Sequence, residues 1–298
     1  MSKLSLVINQ NREEGTVQAI DLLGENKVEG KNVVLKPNFN TADPAPGSTD
    51  IITLRSLIVK LKEMGAKSIT LAERSGPVDT RKCMEEKGIF ELAEELDFQI
   101  INLAEVGVEE YIHIRPKDSY WKDGFLFAKI YHGAECIVET CCLKTHQYGG
   151  HFTLSLKNAV GIVPKRDLNG NSYMRELHSS PDQRKLIADI NSAFSPDLIV
   201  LDGVTAFVDG GPAVGTRKEA NVILASKDRI AIDAVGVAIL RILGTTTEVN
   251  RASIFEQEQI ARAVELNLGV AKQDEIEIIT DSKEAEKLAE QIMTKLQE

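Results

Sequence analysis

Short β-branched runs alternate with longer stretches of helical periodicity along most of the chain. Residues 4–8 and 32–35 read as strands, with an amphipathic helix over 13–23 between them. Across 51–64 the apolar residues Ile51, Leu54, Ile58 and Leu61 recur at the spacing that gives a helix one buried face, and Gly65 follows as a stop. A strand over 68–72 comes next, then a helical stretch over 80–96 broken at Gly88, then a strand over 98–102. Strand, helix and strand in that order predict βαβ units. The expected fold is therefore α/β: a doubly wound, Rossmann-like, mostly parallel sheet with helices on both faces.

The pattern loosens over 105–130, where Tyr111–Ile114 alternates and 125–130 is apolar, and a small inserted β element is predicted there. Residues 136–142 read as a buried strand ending at Lys144. A Gly-, Asn- and Lys-rich stretch over 147–178 then holds one apolar segment, 152–163. The alternation resumes with a helix over 182–194, strands over 198–202 and 221–225, and a helix over 228–243 for which Asp228 is the expected N-cap. Helices near 252–266 and 282–296 flank a strand over 275–279. No repeat or linker interrupts the series, so residues 1–298 are expected to form a single α/β domain or two closely packed lobes.

Charge and cysteine usage narrow the function classes. A net charge of −10 argues against general nucleic-acid binding, which needs a basic face to displace phosphate counterions. No run approaches the ~18 apolar residues of a membrane span, and the first residues lack the apolar core of a signal peptide. Cys83, Cys136, Cys141 and Cys142 are too few and too clustered for a disulfide scaffold. Reduced thiols and a cytoplasmic location are expected, with at least one of Cys141 and Cys142 buried.

In an open parallel sheet, ligands sit beyond the carboxyl ends of the strands. The exits carry Lys36, Asn38 and Asn40; Glu73 and Arg74; Lys144, Thr145 and His146; and Asp202, followed by Gly210, Gly211 and Pro212. Any one such exit is ordinary loop chemistry. Four together predict a site, because gathering these groups is costly unless a ligand satisfies them. Lys144 and His146, two apart in an extended segment, project to one face and suit anion binding or proton transfer. The plainer alternative is a surface ion pair and a turn cap. On a helix Lys157 would lie one turn after Thr153, and Gly149-Gly150 would let backbone N–H groups approach an anion. His146, His151 and His178 are three of five histidines and form the candidate metal set, although their spacing matches no metal motif. Neither a phosphate-binding loop nor a dinucleotide fingerprint is present. The basic, weakly apolar stretch 164–178 is expected to form a mobile flap carrying His178, or else an ordinary loop.

Lys36-Pro37-Asn38, Cys142-Leu143-Lys144-Thr145-His146, Leu154-Ser155-Leu156-Lys157-Asn158 with Gly161, His178, Leu201-Asp202-Gly203, Gly210-Gly211-Pro212 and the segment 222–233 follow one another as in a known family. In this the chain resembles the domain-of-unknown-function family 362, over about residues 30–245. Many members of that family carry a fused ferredoxin-type iron–sulfur module, which this sequence lacks. The resemblance implies redox chemistry, a metal ion or iron–sulfur cluster as candidate cofactor, and a redox partner. Cys83, Cys136, Cys141 and Cys142 leave a four-thiol cluster open, without the Cys-x2-Cys runs of ferredoxins. A more distant similarity is to the nickel-pincer lactate racemase fold, as analogy only.

Two functions are compatible with these residues. One is an enzyme in which Lys144, His146 and His178 are catalytic, while Lys36, Asn38, Asn40, Glu73, Lys157, Asn158, Asp202, Gly210 and Gly211 bind a small anionic substrate or cofactor. The other is a binding or assembly protein that holds a metal, cluster or metabolite for delivery.

Overall fold

The computed structural model describes residues Met1–Glu298. Eleven strands form: β1 (Ser2–Ile8), β2 (Asn32–Lys36), β3 (Ser68–Glu73), β4 (Gln99–Asn102), β5 (Tyr111–Ile114), β6 (Phe125–Ala128), β7 (Cys136–His146), β8 (His151–Thr153), β9 (Leu198–Gly210), β10 (Gly215–Ser226) and β11 (Ile276–Thr280). Nine of them make one sheet in the order β11-β1-β10-β9-β7-β2-β3-β4, with β8 added beside β7. The run β9-β7-β2-β3-β4 is parallel throughout, as is β1 with β11. β10 is antiparallel to both of its neighbours, so the α/β sheet is mixed, with parallel pairs in the majority. The inserted element is an antiparallel pair, β5 with β6, apart from the main sheet.

The helices form where the apolar period and the caps agree. Asn11 caps Arg12–Leu23 by accepting from Glu13 and Glu14, and Asp50 caps Ile51–Glu63 by accepting from Ile52. Their apolar sides pack on one face of the sheet with Val33, Leu35, Cys136 and Val138. On the other face Arg229–Leu243 is buried along nearly its whole length against Cys141, Leu143, Leu201 and Leu224. Asp228 is its N-cap, accepting from Ile230 and Ala231, as its position in the sequence predicts. A third cluster, built on Trp121, Phe125, Phe127 and Tyr173, fastens the β5–β6 insert to Leu186 and Ile187.

Two strands run farther than the apolar pattern indicates, and the difference moves a predicted site residue. β7 continues to His146 because β8 turns back and pairs with its last residues, Lys144 opposite Thr153 and His146 opposite His151. β9 continues to Gly210 because β10 folds back along it as a long hairpin, which satisfies backbone groups that would otherwise need water. Asp202 is therefore in mid-strand and does not mark an exit. Its carboxylate accepts from Arg12 Nε at 2.8 Å and from the Thr53 hydroxyl at 2.8 Å, tying the first two helices to the sheet.

Asp202→Ala leaves the Arg12 guanidinium and the Thr53 hydroxyl facing a hole. Urea unfolding is expected to show a loss of about 3 kcal/mol. A loss below about 0.5 kcal/mol, the ordinary range for a surface change, would show that Asp202 does not hold the helices.

Candidate functional site

At the carboxyl ends of β2, β3 and β7 the chain leaves a cavity of about 650 Å³, a volume suited to a small organic ligand. Its walls include Lys36, Asn38, Asn40, Glu73, Lys144, His146, Lys157, Asn158 and His178, so nine predicted site residues meet in one place. Asp202, Gly210, Gly211 and His151 are not among the lining residues. Asp202 is bound to Arg12, as described above. Gly210 and Gly211 form the tip of the β9–β10 hairpin and set Pro212, whose carbonyl reaches the site. His151 sits near Gln257 and Glu248.

The strands bring the basic residues in from both sides of the sheet. In β2, Val33 and Leu35 pack on one face and Val34 on the other, so Lys36 follows Val34 to that second face. There Lys36 Nζ donates to Glu73 Oε2 at 2.7 Å, to the Pro37 carbonyl at 2.8 Å and to Asn158 Oδ1 at 3.3 Å. Lys144 comes from β7 and donates to the Gly47 carbonyl at 2.6 Å, Asn38 Oδ1 at 3.1 Å and the Pro212 carbonyl at 3.2 Å. Relative exposures of 1% for Lys36 and 0% for Lys144 mean that these bonds replace nearly all of their water. Burial pulls both amines below their usual pKa, opposed at Lys36 by Glu73 and at Lys144 by Cys142.

Arg74, named at a strand exit but not chosen as a site residue, is the third buried cation of the wall. Nε donates to the Val163 carbonyl at 2.7 Å, Nη1 to that of Ser75 at 3.0 Å and Nη2 to that of Val160 at 2.6 Å. Its position directly after Glu73 was the available signal. An arginine that fastens a distant loop leaves no periodic trace.

Lys157 differs from these three. It rides on the short helix Ser155–Asn158, whose start is fixed by the buried Asp233 carboxylate accepting from the Ser155 and Leu156 amides, at 2.8 and 3.2 Å. The Ser155 hydroxyl also donates to Glu139 Oε2 at 2.8 Å. The helix is thus anchored, yet Lys157 Nζ has neither an ion pair nor a hydrogen-bond partner. Burial, followed by the charges of Lys144 and Arg74, lowers its pKa to about 8. Thr153 lies on β8 and not on a helix with Lys157, as the sequence pattern had suggested, but it lines the same cavity. Its hydroxyl is buried without a partner.

His146 Nδ1 is also buried and unpartnered. Burial, then Lys157, Lys144 and His178, lower the pKa of His146 to about 2, so the ring is neutral at physiological pH. Gly150 holds the two residues close: a Cβ there would sit 2.8 Å from His146 Nδ1 and 3.1 Å from Lys157 Cε. A glycine is needed because the backbone itself fills the space between ring and side chain. Gly161 plays the same part below Lys36, where a Cβ would overlap Glu73 Oε1 and lie 2.8 Å from Lys36 Nζ.

Segment 164–178 proves to be two things. Tyr173–Ser179 is a helix capped by Ser172, with Tyr173 and Leu177 buried and the Tyr173 ring edge-on to Trp121 at 5.6 Å. That half buries far more surface than its composition suggests, because its two buried apolar residues are one turn apart on one face. Arg166 and residues 168–171 stay exposed. His178 stands at the cavity mouth, exposed, with Gln183 Nε2 2.9 Å from Nδ1.

No group of three or more His, Cys, Asp or Glu is gathered where it could hold a metal ion. His146 and His178 share the cavity but His151 does not. All four cysteines are free and buried. Cys141 packs under Arg229–Leu243 and Cys136 under the opposite face of the sheet, so the four thiols cannot share one cluster. No helix is long and apolar enough to cross a membrane.

A mixed α/β sheet with a basic cavity at its strand ends is the frame in which residues 33–238 match the domain of unknown function DUF362. The chain belongs to that family. It is also 24% identical, over 81% of this chain and 75% of the relative, to a thylakoid-associated protein of Synechocystis sp.. Among solved structures it is similar to the lactate racemase apoprotein from Thermoanaerobacterium thermosaccharolyticum, at 14% identity and a TM-score of 0.46. That likeness covers 75% of this chain but only 54% of the racemase, so the chain spans about half its length, and no residue role carries across.

The His146 ring should remain neutral as acid is added, since protonating it means placing a third positive charge beside Lys144 and Lys157. Its depressed pKa stabilises the fold above pH 6.5, and the contribution is lost as pH falls from there toward 2. Ring nitrogen shifts by NMR are expected to show no His146 titration between pH 8 and about pH 4. A midpoint near 6.5 would mean the ring is hydrated and not enclosed.

Proposed function

We propose that the cavity is the active site of an enzyme that binds a small anion, with Lys157 giving and taking a proton beside the neutral ring of His146. The observation that supports this most is the pairing of one amine without a partner and one neutral imidazole nitrogen without a partner, on either side of Gly150. Lys36, Arg74 and Lys144 supply a fixed positive field while their hydrogens stay bonded to the protein. Among the lining residues Glu73 is the single carboxylate set against four basic side chains, and it is already paired with Lys36. An anion therefore enters a partly enclosed site with surplus positive charge, where electrostatic attraction is stronger than in bulk water.

The roles differ from those the sequence suggested. Lys144 is a fixed charge, since its three hydrogens are spent on Asn38, Gly47 and Pro212. Lys157 moves from binding to proton transfer: with a pKa of about 8, roughly a tenth of it is the free amine near pH 7. His146 stays neutral and offers Nδ1 as an acceptor, and His178 stands at the mouth. A group that must give and take protons at neutral pH needs a pKa near the working pH, which Lys157 has.

Pyruvate serves as an anionic probe. By calorimetry, Lys157→Met should weaken its binding by about 10- to 100-fold, the loss of one charge-assisted hydrogen bond in an enclosed site. Lys157→Arg, which keeps the charge, should retain most of it. Equal affinity in the wild type and Lys157→Met would remove Lys157 from the site.

A further inference from the structure

We infer that Lys157 is a nucleophile that condenses with the carbonyl group of a small 2-oxo acid to form an imine, an assignment that rests on the anion site proposed above. A lysine used only to attract an anion is served by any protonated amine, and Lys36 and Lys144 show how this fold builds one: surrounded by oxygen acceptors on every side. Lys157 is built in the opposite way. No acceptor faces its nitrogen, and the charges that do face it, Lys144 on β7 and Arg74 after β3, are positive. His146 and His178, the titratable rings near it, add no negative charge. Surroundings of this kind favour the uncharged amine, the only form that attacks carbon.

The neighbouring groups match what the second substituent needs. Thr153 stands opposite Lys144 across the β7–β8 pair, its hydroxyl buried and unpartnered in the cavity wall. A carboxylate accepting from that hydroxyl lies within the field of Lys144 and brings the adjoining carbonyl carbon toward Lys157. The amine adds to this carbon as the carbonyl π bond breaks and its oxygen takes up a proton. The surplus proton passes from nitrogen by way of solvent to the new hydroxyl, which leaves as water. One proton from solvent is retained as the iminium N–H, so the step needs no oxidant or reductant.

The experiment is reductive trapping. Wild-type protein, Lys157→Arg and Lys157→Met are incubated with pyruvate and cyanoborohydride, digested and mapped by mass spectrometry, with pyruvate affinity measured in parallel. The expected result is one secondary amine at Lys157, formed at least tenfold faster than at any exposed lysine, with a rate that rises to half its maximum near pH 8. Neither variant should give it, although Lys157→Arg still binds pyruvate. Adducts spread over exposed lysines with none enriched at Lys157 would overturn the assignment. Pyruvate bound but untrapped overturns the imine and leaves the anion site standing, whereas pyruvate neither bound nor trapped removes both.

Discussion

Lys36, Arg74 and Lys144 place their basic groups almost out of contact with water, and each is matched by acceptors of the protein itself. Dehydrating a cation costs several kcal/mol, and leaving one unpaired in the interior would cost more than a domain of this size can spare. The acceptors come from distant parts of the chain: Glu73 from β3, Asn158 from the short helix, Gly47 and Pro212 from two separate loops. The three cations therefore cross-link the ends of the strands, and the loops around the cavity are arranged to supply their oxygens. Because that demand is met internally, the field inside the cavity is preorganised and needs no ligand to hold it in place.

Lys157 is the exception that gives the cavity a chemistry. Its own backbone is held as firmly as that of the other three, through Asp233 and through Ser155 to Glu139, so the lack of a partner at Nζ is not slack in the local fold. Burial with Lys144 and Arg74 nearby keeps the amine weakly basic, and burial with Lys157, Lys144 and His178 nearby keeps the His146 ring neutral. Free amine and free imidazole follow from one cause. Thr153 completes the set of unengaged polar groups in the wall of one cavity.

Much of this was legible in the residues. The βαβ rhythm of the first hundred residues specifies a parallel sheet, and that alone brings Lys36, Glu73 and Lys144 to the same end. The positions of Asp202 and Thr153 were not legible, because both depend on strands continuing past the apolar run. A hairpin partner such as β8 or β10 is what permits that, and pairing of this kind leaves little periodic signal. Nor could residue type separate Lys144 from Lys157. Both are lysines in polar sequence, and only the three-dimensional count of acceptors distinguishes a committed cation from a free one. The helix Tyr173–Ser179 was hidden for a different reason: its stability comes from Trp121, some fifty residues upstream, and not from its own composition.

The claim on which the account rests is that Lys36, Arg74 and Lys144 make the field while Lys157 makes the contact. A crystal structure of the protein soaked with inorganic phosphate tests it most directly. The account predicts phosphate oxygens within hydrogen-bond distance of Lys157 Nζ and the Thr153 hydroxyl, with the bonds from Lys36 to Glu73 and from Lys144 to Gly47 unchanged. Phosphate bound directly to Lys36 or Lys144, with Glu73 or Gly47 displaced and Lys157 turned away, would contradict it.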